Sequence, residues 1–203
     1  MSNVPEVVIA VAQVPRFGRD AVAVLAEALA RSPFVVRTIN VSAKAPTAPL
    51  VRNDTGDCLI LLAHPCHQHD GFAVEGRTAS VECLKAGSWR QDSDLRLYAH
   101  TCNGSVVLGS QAWQDSVEEW VSYEGSIEIL DTPISADLWL GLLIEIGRDF
   151  ARTHSPEAAI ASIEGLYRRA IRSVDQMFSL GDSREVMKAT LQLAADALCA
   201  SSE

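Results

Sequence analysis

The sequence lacks several features that would place it in a specialised class of protein. No apolar run reaches the ~18–20 residues that a membrane-spanning helix needs, and no basic stretch precedes the first apolar segment. The seventeen lysines and arginines are scattered and the net charge is −9, so the concentrated positive charge that binds nucleic-acid phosphates is missing. We therefore expect a soluble, cytoplasmic protein that binds neither a membrane nor nucleic acid.

Paired cysteine motifs are also missing. The five cysteines are an odd number, and no two of them form a Cys-x-x-Cys pair, so a disulfide framework is not expected. Cys58, Cys83 and Cys199 lie in apolar or amphipathic runs, which favours burial as small hydrophobic residues. Cys66 and Cys102 lie among polar residues, so these two thiols need another explanation.

Two common catalytic motifs are absent as well. The chain has neither a glycine-rich phosphate-binding loop nor a Gly-x-Ser-x-Gly nucleophile motif. Nucleotide hydrolysis of the P-loop type and serine-hydrolase chemistry are therefore not indicated, and we expect no cofactor. What the 203 residues do have is ordinary globular composition, with 48% hydrophobic and 21% charged residues.

Strand-like and helix-like runs alternate through the first two thirds of the chain, and helical patterns follow. Such alternation predicts an α/β fold with a mainly parallel central sheet and helices on both faces. We predict a single domain over 1–203, with a sheet-rich part at 1–133 and C-terminal helices at 134–203. The predicted strands are 6–13, 34–42, 57–64, 94–101 and 121–130, with a hairpin arm at 71–76; the predicted helices are 19–32, 78–89, one from about 105, 135–153, one from 155 and one from 182.

Two of the predicted strands end in residues that carry chemistry. The segment "CLILLAHPCHQHDGF" ends its apolar run at His64, and "DLRLYAHTCNGSVVLG" ends its run at Cys102, where Asn103 and Gly104 permit a sharp turn. Carboxyl ends of neighbouring parallel strands meet at one edge of a sheet, so a crossover through the 78–89 helix would bring imidazole and thiol together. An imidazole beside a thiol is the minimum for cysteine-nucleophile catalysis.

These segments resemble the motifs of the caspase-like cysteine peptidases, including the bacterial CHAT domains, which pair an apolar strand ending in His with a second strand ending in Cys. "CLILLAHPCHQHDGF" is similar to their strand-His-loop-Gly segment and "LRLYAHTCNGS" to their strand-Ala/Ser-Cys-x-Gly segment. Cys102 follows His64 by 38 residues, whereas the spacing in caspases is about 50. The likeness extends over roughly 6–175, through "WVSYEGSIEIL" and "LWLGLLIEIGRDFARTHSPEAAIASIEGLYRRA".

The resemblance implies a caspase-like fold and an endopeptidase that uses a Cys102/His64 dyad on a protein substrate. It also implies activation by a signal or a regulatory protein partner, by analogy in a bacterial defence or cell-death pathway. The preference for the P1 residue is not specified, although the acidic chain tilts it toward Arg or Lys. The acidic loop residues that would line such a pocket are Asp70, Glu75 and Glu124.

One departure from the family pattern concerns the oxyanion hole. Family members usually have Gly directly after the His, where this chain has Pro65, which has no N–H to donate. The Cys66 amide in a shifted loop could substitute, with Asn103 and Gly104 shaping the loop around the nucleophile; alternatively, the Cys102 amide serves alone, or the domain is not a working peptidase. His67 and His69 are alternative bases, because "HDG" at 69–71 places a glycine near a histidine.

Two other functions remain open. The first is a catalytically inactive caspase-like module that binds or scaffolds a partner protein, for which Pro65 is the best support. The second is a metal-binding hydrolase, because "HPCHQHD" concentrates competent zinc ligands within seven residues. Its ligands would come from His64, Cys66, His67 and His69.

Overall fold

The computed structural model describes residues 6–12, 21–41, 58–66, 71–74, 82–85, 96–115, 117, 119–130, 132–153, 155–177, 181 and 183–201. Its strands are β1 (Glu6–Val11), β2 (Val35–Asn40), β3 (Cys58–Leu62), β4 (His64–Pro65), β5 (Gly71–Val74), β6 (Glu82–Lys85), β7 (Arg96–His100), β8 (Glu119–Tyr123) and β9 (Leu198–Ala200). Its helices are α1 (Ala21–Ala30), α2 (Gly104–Leu108), α3 (Gln111–Gln114), α4 (Pro133–Arg152), α5 (Pro156–Val174) and α6 (Ser183–Asp196).

A six-stranded sheet in the order β2-β1-β3-β7-β8-β9 forms the centre of the fold. All of its neighbouring strands pair in parallel except β8 and β9, which are antiparallel. The inner strands β1 and β3 are near-continuous apolar runs, and all five residues of β3 are buried, as expected for strands covered on both faces. The predicted α/β fold with a mainly parallel sheet is confirmed.

The two faces of the sheet are covered differently. On one face, alternate residues such as Ile9, Ile60 and Tyr98 share a core with α1, α4, α5 and α6. On the other face, the intervening residues pack against α2, α3 and a small second sheet, where the ring of Phe72 meets that of Trp113 edge to face at 5.1 Å. The long described helices thus lie on one side of the sheet, and the short ones lie on the other.

The long C-terminal helices begin at the signals visible in the sequence. The Ser155 side chain accepts a hydrogen bond from the Ala158 amide at 3.2 Å, and Pro156 occupies the first turn of α5. One face of α5 packs on the core shared with the sheet, where Ile163, Tyr167 and Val174 are buried. Since α4, α5, α6 and β9 contribute to the same core as β1 and β3, the two predicted parts of the chain share one interior.

Three predicted elements differ from the structure. The helix predicted at 78–89 is wrong at 82–85, where β6 pairs antiparallel with β5 in a three-stranded sheet of order β4-β5-β6. Leu84, opposite Phe72, is fully buried there, so side-chain packing outweighs local helix propensity. The helix predicted from 182 ends at Asp196, and it is followed by β9, a strand that was not predicted. The strand predicted at 121–130 is β8 (Glu119–Tyr123) followed by an extended segment.

Within the described part of the chain, no helix combines the length and the apolar character needed to cross a membrane.

Candidate active site

The strands that precede the candidate catalytic residues, β3 and β7, are direct neighbours. In the parallel β3–β7 pair, Leu62 lies opposite His100, and the Ala63 amide donates to the His100 carbonyl oxygen at 3.4 Å. His64 and Cys102 each follow that pair by two residues, so both lie at the carboxyl edge of the sheet. Helix α2, which follows Cys102, packs against β4, which begins at His64. The two strands are therefore neighbours, as predicted. The connection between them contains the small sheet, with a strand rather than a helix over 82–85.

A sharp turn holds Cys102 between β7 and α2. Asn103 has φ 49° and ψ 30°, and it is the one non-glycine residue with positive φ in the described ranges. Asn tolerates this left-handed conformation better than most residues. Gly104 follows where a Cβ would lie 2.0 Å from Ser122 Oγ and 2.5 Å from Thr101 Cγ2, so only a hydrogen side chain fits. The chain therefore reverses into α2 with the partly exposed Cys102 at the corner.

An extended segment, 125–130, lies against the sulfur. The Ile127 amide donates to Cys102 Sγ at 3.2 Å, and the thiol contacts the Ile127 carbonyl oxygen at 3.7 Å. The Asn103 amide donates to the Gly125 carbonyl oxygen at 2.9 Å. Ile127 and Ile129 pack against the core while Glu128 between them is exposed. The sequence predicted a strand over 121–130 but did not show that this segment would meet Cys102.

We expect Ile129→Ala to increase the alkylation rate of Cys102 about fivefold, because lost packing of ~1 kcal/mol makes opening of the 125–130 segment more frequent. The backbone of Ile127 is unchanged in this variant. Glu128→Ala is the matched control, since the Glu128 side chain is exposed and its removal leaves the packing intact. Rates are measured with limiting iodoacetamide and peptide mapping; equal rates in the two variants would show that the segment does not restrict the thiol.

In the loop after His64, the contacts of Cys66 do not fit the roles predicted for it. The Cys66 amide donates to the Gly71 carbonyl oxygen at 2.8 Å, so it is not free to act as an oxyanion donor. Its sulfur forms a disulfide with Cys83, with the Cα atoms 6.1 Å apart, which also corrects the free thiols predicted for both residues. The bond escaped prediction because its partners meet only through the β4-β5-β6 sheet. Disulfides are more typical of oxidising compartments, so cytoplasmic location stays a prediction.

Several other predicted site residues cannot be placed. His67, His69, Asp70 and Glu75 lie outside the described residues. In the ranges that are described, no three His, Cys, Asp or Glu side chains come together as metal ligands, and the disulfide removes Cys66 as a thiolate ligand. Glu124 is exposed at the end of β8, directly before the segment that meets Cys102, and its amide donates to the Ala197 carbonyl oxygen at 2.7 Å.

A buried hydrogen-bonded chain begins next to the site. His100 Nδ1 lies 3.1 Å from the Tyr98 hydroxyl, which lies 2.7 Å from the Tyr123 hydroxyl, which in turn lies 2.8 Å from the Tyr167 hydroxyl. Burial, and secondarily the nearby His64, lowers the pKa of His100 from 6.5 to about 4, so the ring is neutral at pH 7. Burial likewise raises the pKa of each tyrosine. The chain was not predicted from the sequence, where its visible signal is Tyr98 and His100 alternating on one strand.

The site therefore belongs to an α/β protein whose parallel sheet brings a histidine and a cysteine to one edge. None of the protein-family models matches the sequence, and comparison with curated proteins finds no significant relative.

Proposed function

We propose that the protein is a caspase-like cysteine endopeptidase in which Cys102 is the nucleophile and His64 is the general base. The observation that supports this most directly is the β3–β7 register, because it sets both residues just beyond the opposed pair Leu62 and His100. Neighbouring strands are about 4.8 Å apart, which suits contact between an imidazole and a thiol. A strand ending in His beside a strand ending in Cys is also the arrangement that the resemblance implies.

In the proposed reaction His64 takes the proton from Cys102 Sγ, and the thiolate attacks the carbonyl carbon of the scissile peptide bond. The resulting imidazolium gives its proton to the departing amine, which leaves a thioester on Cys102. Water, deprotonated by His64, then attacks the thioester; the acid product leaves and the thiol is restored. All protons are exchanged between His64, substrate and water, so the reaction needs no cofactor.

The conformation supports an enzyme that awaits a signal or a regulatory protein partner. The Cys102 sulfur is engaged by Ile127, and the amides of Cys66 and Asn103 donate to protein carbonyl oxygens. Pro65 supplies no amide hydrogen at all. One oxyanion donor is commonly worth ~2.7–4 kcal/mol of transition-state stabilisation, so activation has to move the 125–130 segment and release a donor.

The substrate we propose is a protein cleaved after Arg or Lys. The net charge of −9 favours a basic P1 side chain, and Glu124 is a described, exposed acid next to the segment that meets Cys102. Cleavage of peptides with Arg, Lys or Asp at P1 distinguishes this preference from the acidic one.

A second candidate function is a caspase-like module that binds a partner without catalysis. Pro65 and the engaged amides of Cys66 and Asn103 favour it, because together they leave the carbonyl oxygen of a substrate with few donors. This candidate differs from the peptidase in one measurable respect, since it requires no reactive thiol.

We expect Cys102 to be alkylated faster than the other free cysteines at about pH 6–7, and His64→Ala to lower its rate about tenfold, because an adjacent imidazole generates the thiolate. Cys199 is the internal reference: it is also partly exposed, and burial raises its pKa. Rates come from limiting iodoacetamide and peptide mapping of Cys58, Cys102 and Cys199. If Cys102 reacts no faster than Cys199 and its rate is unchanged by His64→Ala, the peptidase proposal is wrong and the binding module is the better account.

A further inference from the structure

The strand that carries His64 has little backbone pairing of its own. Strand β4 consists of His64 and Pro65 and pairs with β5. Pro65 has no amide hydrogen, so β4 contributes fewer ladder hydrogen bonds than an ordinary strand. Directly after β4, the Cys66 amide donates to the Gly71 carbonyl oxygen at 2.8 Å. The position of His64 therefore depends on how Cys66 is held.

The disulfide between Cys66 and Cys83 joins the end of β4 to β6, the far strand of the small sheet. Ala73 of the middle strand lies opposite His64 on one side and opposite Cys83 on the other. Directly opposed residues place their side chains on the same face, so Cys83 shares the face of the sheet that carries His64. Leu84, on the opposite face, is fully buried in the core. The disulfide thus ties the weakly paired β4 to a strand that the core holds in place.

Two contacts connect β4 to the surroundings of Cys102. The Ala63 amide, directly before His64, donates to the His100 carbonyl oxygen of β7 at 3.4 Å. Helix α2, which follows Cys102, packs against β4. Movement of β4 therefore changes the position of His64 relative to Cys102.

We propose that Cys66 and Cys83 are a redox pair that regulates the candidate site: the disulfide holds His64 at the sheet edge, and its reduction by a dithiol releases β4 and lowers the reactivity of Cys102. This role rests on the proposed function, because the position of His64 matters only if His64 serves Cys102. It makes an intact disulfide one requirement of the active enzyme, in addition to movement of the 125–130 segment.

The two sulfurs differ in their access to a reductant. Cys83 is partly exposed, whereas Cys66 is buried, with 3% of its surface accessible. One thiolate of the dithiol attacks Cys83 Sγ, the S–S bond breaks, and Cys66 leaves as a thiolate. The second thiolate of the dithiol then attacks the mixed disulfide and releases Cys83, so the reductant is oxidised to a disulfide. Two electrons pass to the protein, and each released thiolate takes a proton from water. An oxidised dithiol reverses these steps.

Reduction of the wild-type protein tests the proposal, and the double variant Cys66→Ser/Cys83→Ser is the matched control. Each protein is treated with dithiothreitol or buffer, desalted, and alkylated with limiting iodoacetamide, with and without His64→Ala. Reduction should lower the His64-dependent part of the wild-type Cys102 rate about fivefold, because the imidazole is less well placed. The double variant should show the lower rate with and without dithiothreitol, since it has no disulfide to reduce. Peptide mapping reports the Cys102 rate and the state of Cys66 and Cys83 together.

Hydrogen exchange supplies a second readout that does not depend on catalysis. After reduction, the amides of β5 should exchange about tenfold faster, because the small sheet opens more often without the disulfide. The amides of β1 and β3 should be unchanged, since these strands lie in the central sheet.

Three results would overturn the redox pair, even if the double variant failed to fold. They are free Cys66 and Cys83 thiols in the air-oxidised protein, a disulfide that dithiothreitol does not reduce in the folded protein, and a His64-dependent rate that reduction leaves unchanged. A wild-type Cys102 rate that does not depend on His64 would instead overturn the proposed function. In that case, faster exchange of β5 after reduction would still show that the disulfide anchors the small sheet.

Discussion

Gly104→Ala should lower the free energy of unfolding by about 3 kcal/mol. The new methyl would lie 2.0 Å from Ser122 Oγ and 2.5 Å from Thr101 Cγ2, and both neighbours are buried. Ser122 cannot move without cost, since its hydroxyl donates to the Ala99 carbonyl oxygen at 2.9 Å. Overpacking of this kind costs ~1–3 kcal/mol, and the loss of a buried hydrogen bond adds ~1 kcal/mol. Unfolding in urea, followed by circular dichroism, measures the change.

Gly141→Ala is the matched control for this substitution. Gly141 lies within α4, and a Cβ added there would meet no atom within 4 Å. Because alanine favours the helix over glycine, this variant should be more stable than the wild type by about 0.5–1 kcal/mol. A Gly104→Ala protein as stable as Gly141→Ala would show that the clash with Ser122 and Thr101 is relieved by small movements, and that the Cys102 turn is not sterically fixed.

Gly104→Ala should also lower the reactivity of the Cys102 thiol. Cys102 owes its place at the corner to the left-handed Asn103 and to the close approach of Gly104. A displaced turn moves Sγ away from the edge where His64 lies, so Cys102 should lose its lead over Cys199 in alkylation. Gly141→Ala should keep that lead.

The parts of the fold that could be predicted are those whose signals are local. The apolar runs that form β1 and β3 are buried on both faces, and their apolar composition predicts this burial. The start of α5 is also a local signal. The Ser155 side chain caps the first turn of the helix, and Pro156 occupies that turn. The edge shared by His64 and Cys102 was predictable for a related reason, because each residue lies just past the end of an apolar strand.

The parts that could not be predicted depend on partners distant in sequence. Strands β6 and β9 are too short to show the alternation of apolar and polar residues that marks a strand. They form because they pair with β5 and β8. The disulfide of Cys66 and Cys83 needs that same small sheet. Contact between Ile127 and Cys102 joins residues that are 25 positions apart, so the sequence alone gave no sign that Cys102 would be hydrogen-bonded there.

The hydroxyl chain belongs to this second group, because β7, β8 and α5 each contribute to it. The sequence pattern shows only ordinary core aromatics at Tyr98, Tyr123 and Tyr167. The contacts between their hydroxyl groups are what make them a polar network. Such a network is favourable when every member is satisfied.

Wild-type protein should lose about 3 kcal/mol more stability than His100→Asn when the pH falls from 7 to 4. The pKa of His100 is about 4 in the folded protein against 6.5 for an ordinary histidine, so the unfolded chain binds more protons between these values. Stability from the neutral ring is therefore complete above pH 6.5 and is lost as the pH falls toward 4. Asn removes the titrating ring and keeps a side-chain amide that can hydrogen-bond to the Tyr98 hydroxyl.

Urea unfolding at several pH values between 4 and 7 measures this difference, and the comparison between the two proteins isolates it. The carboxylates that also titrate near pH 4 are the same in both chains, so their contribution cancels in the difference. His64 is present in both as well, which leaves His100 as the group that distinguishes the curves. Parallel loss of stability in the two proteins would mean that His100 takes up its proton without resistance in the folded state, which would contradict a buried, neutral His100 ring.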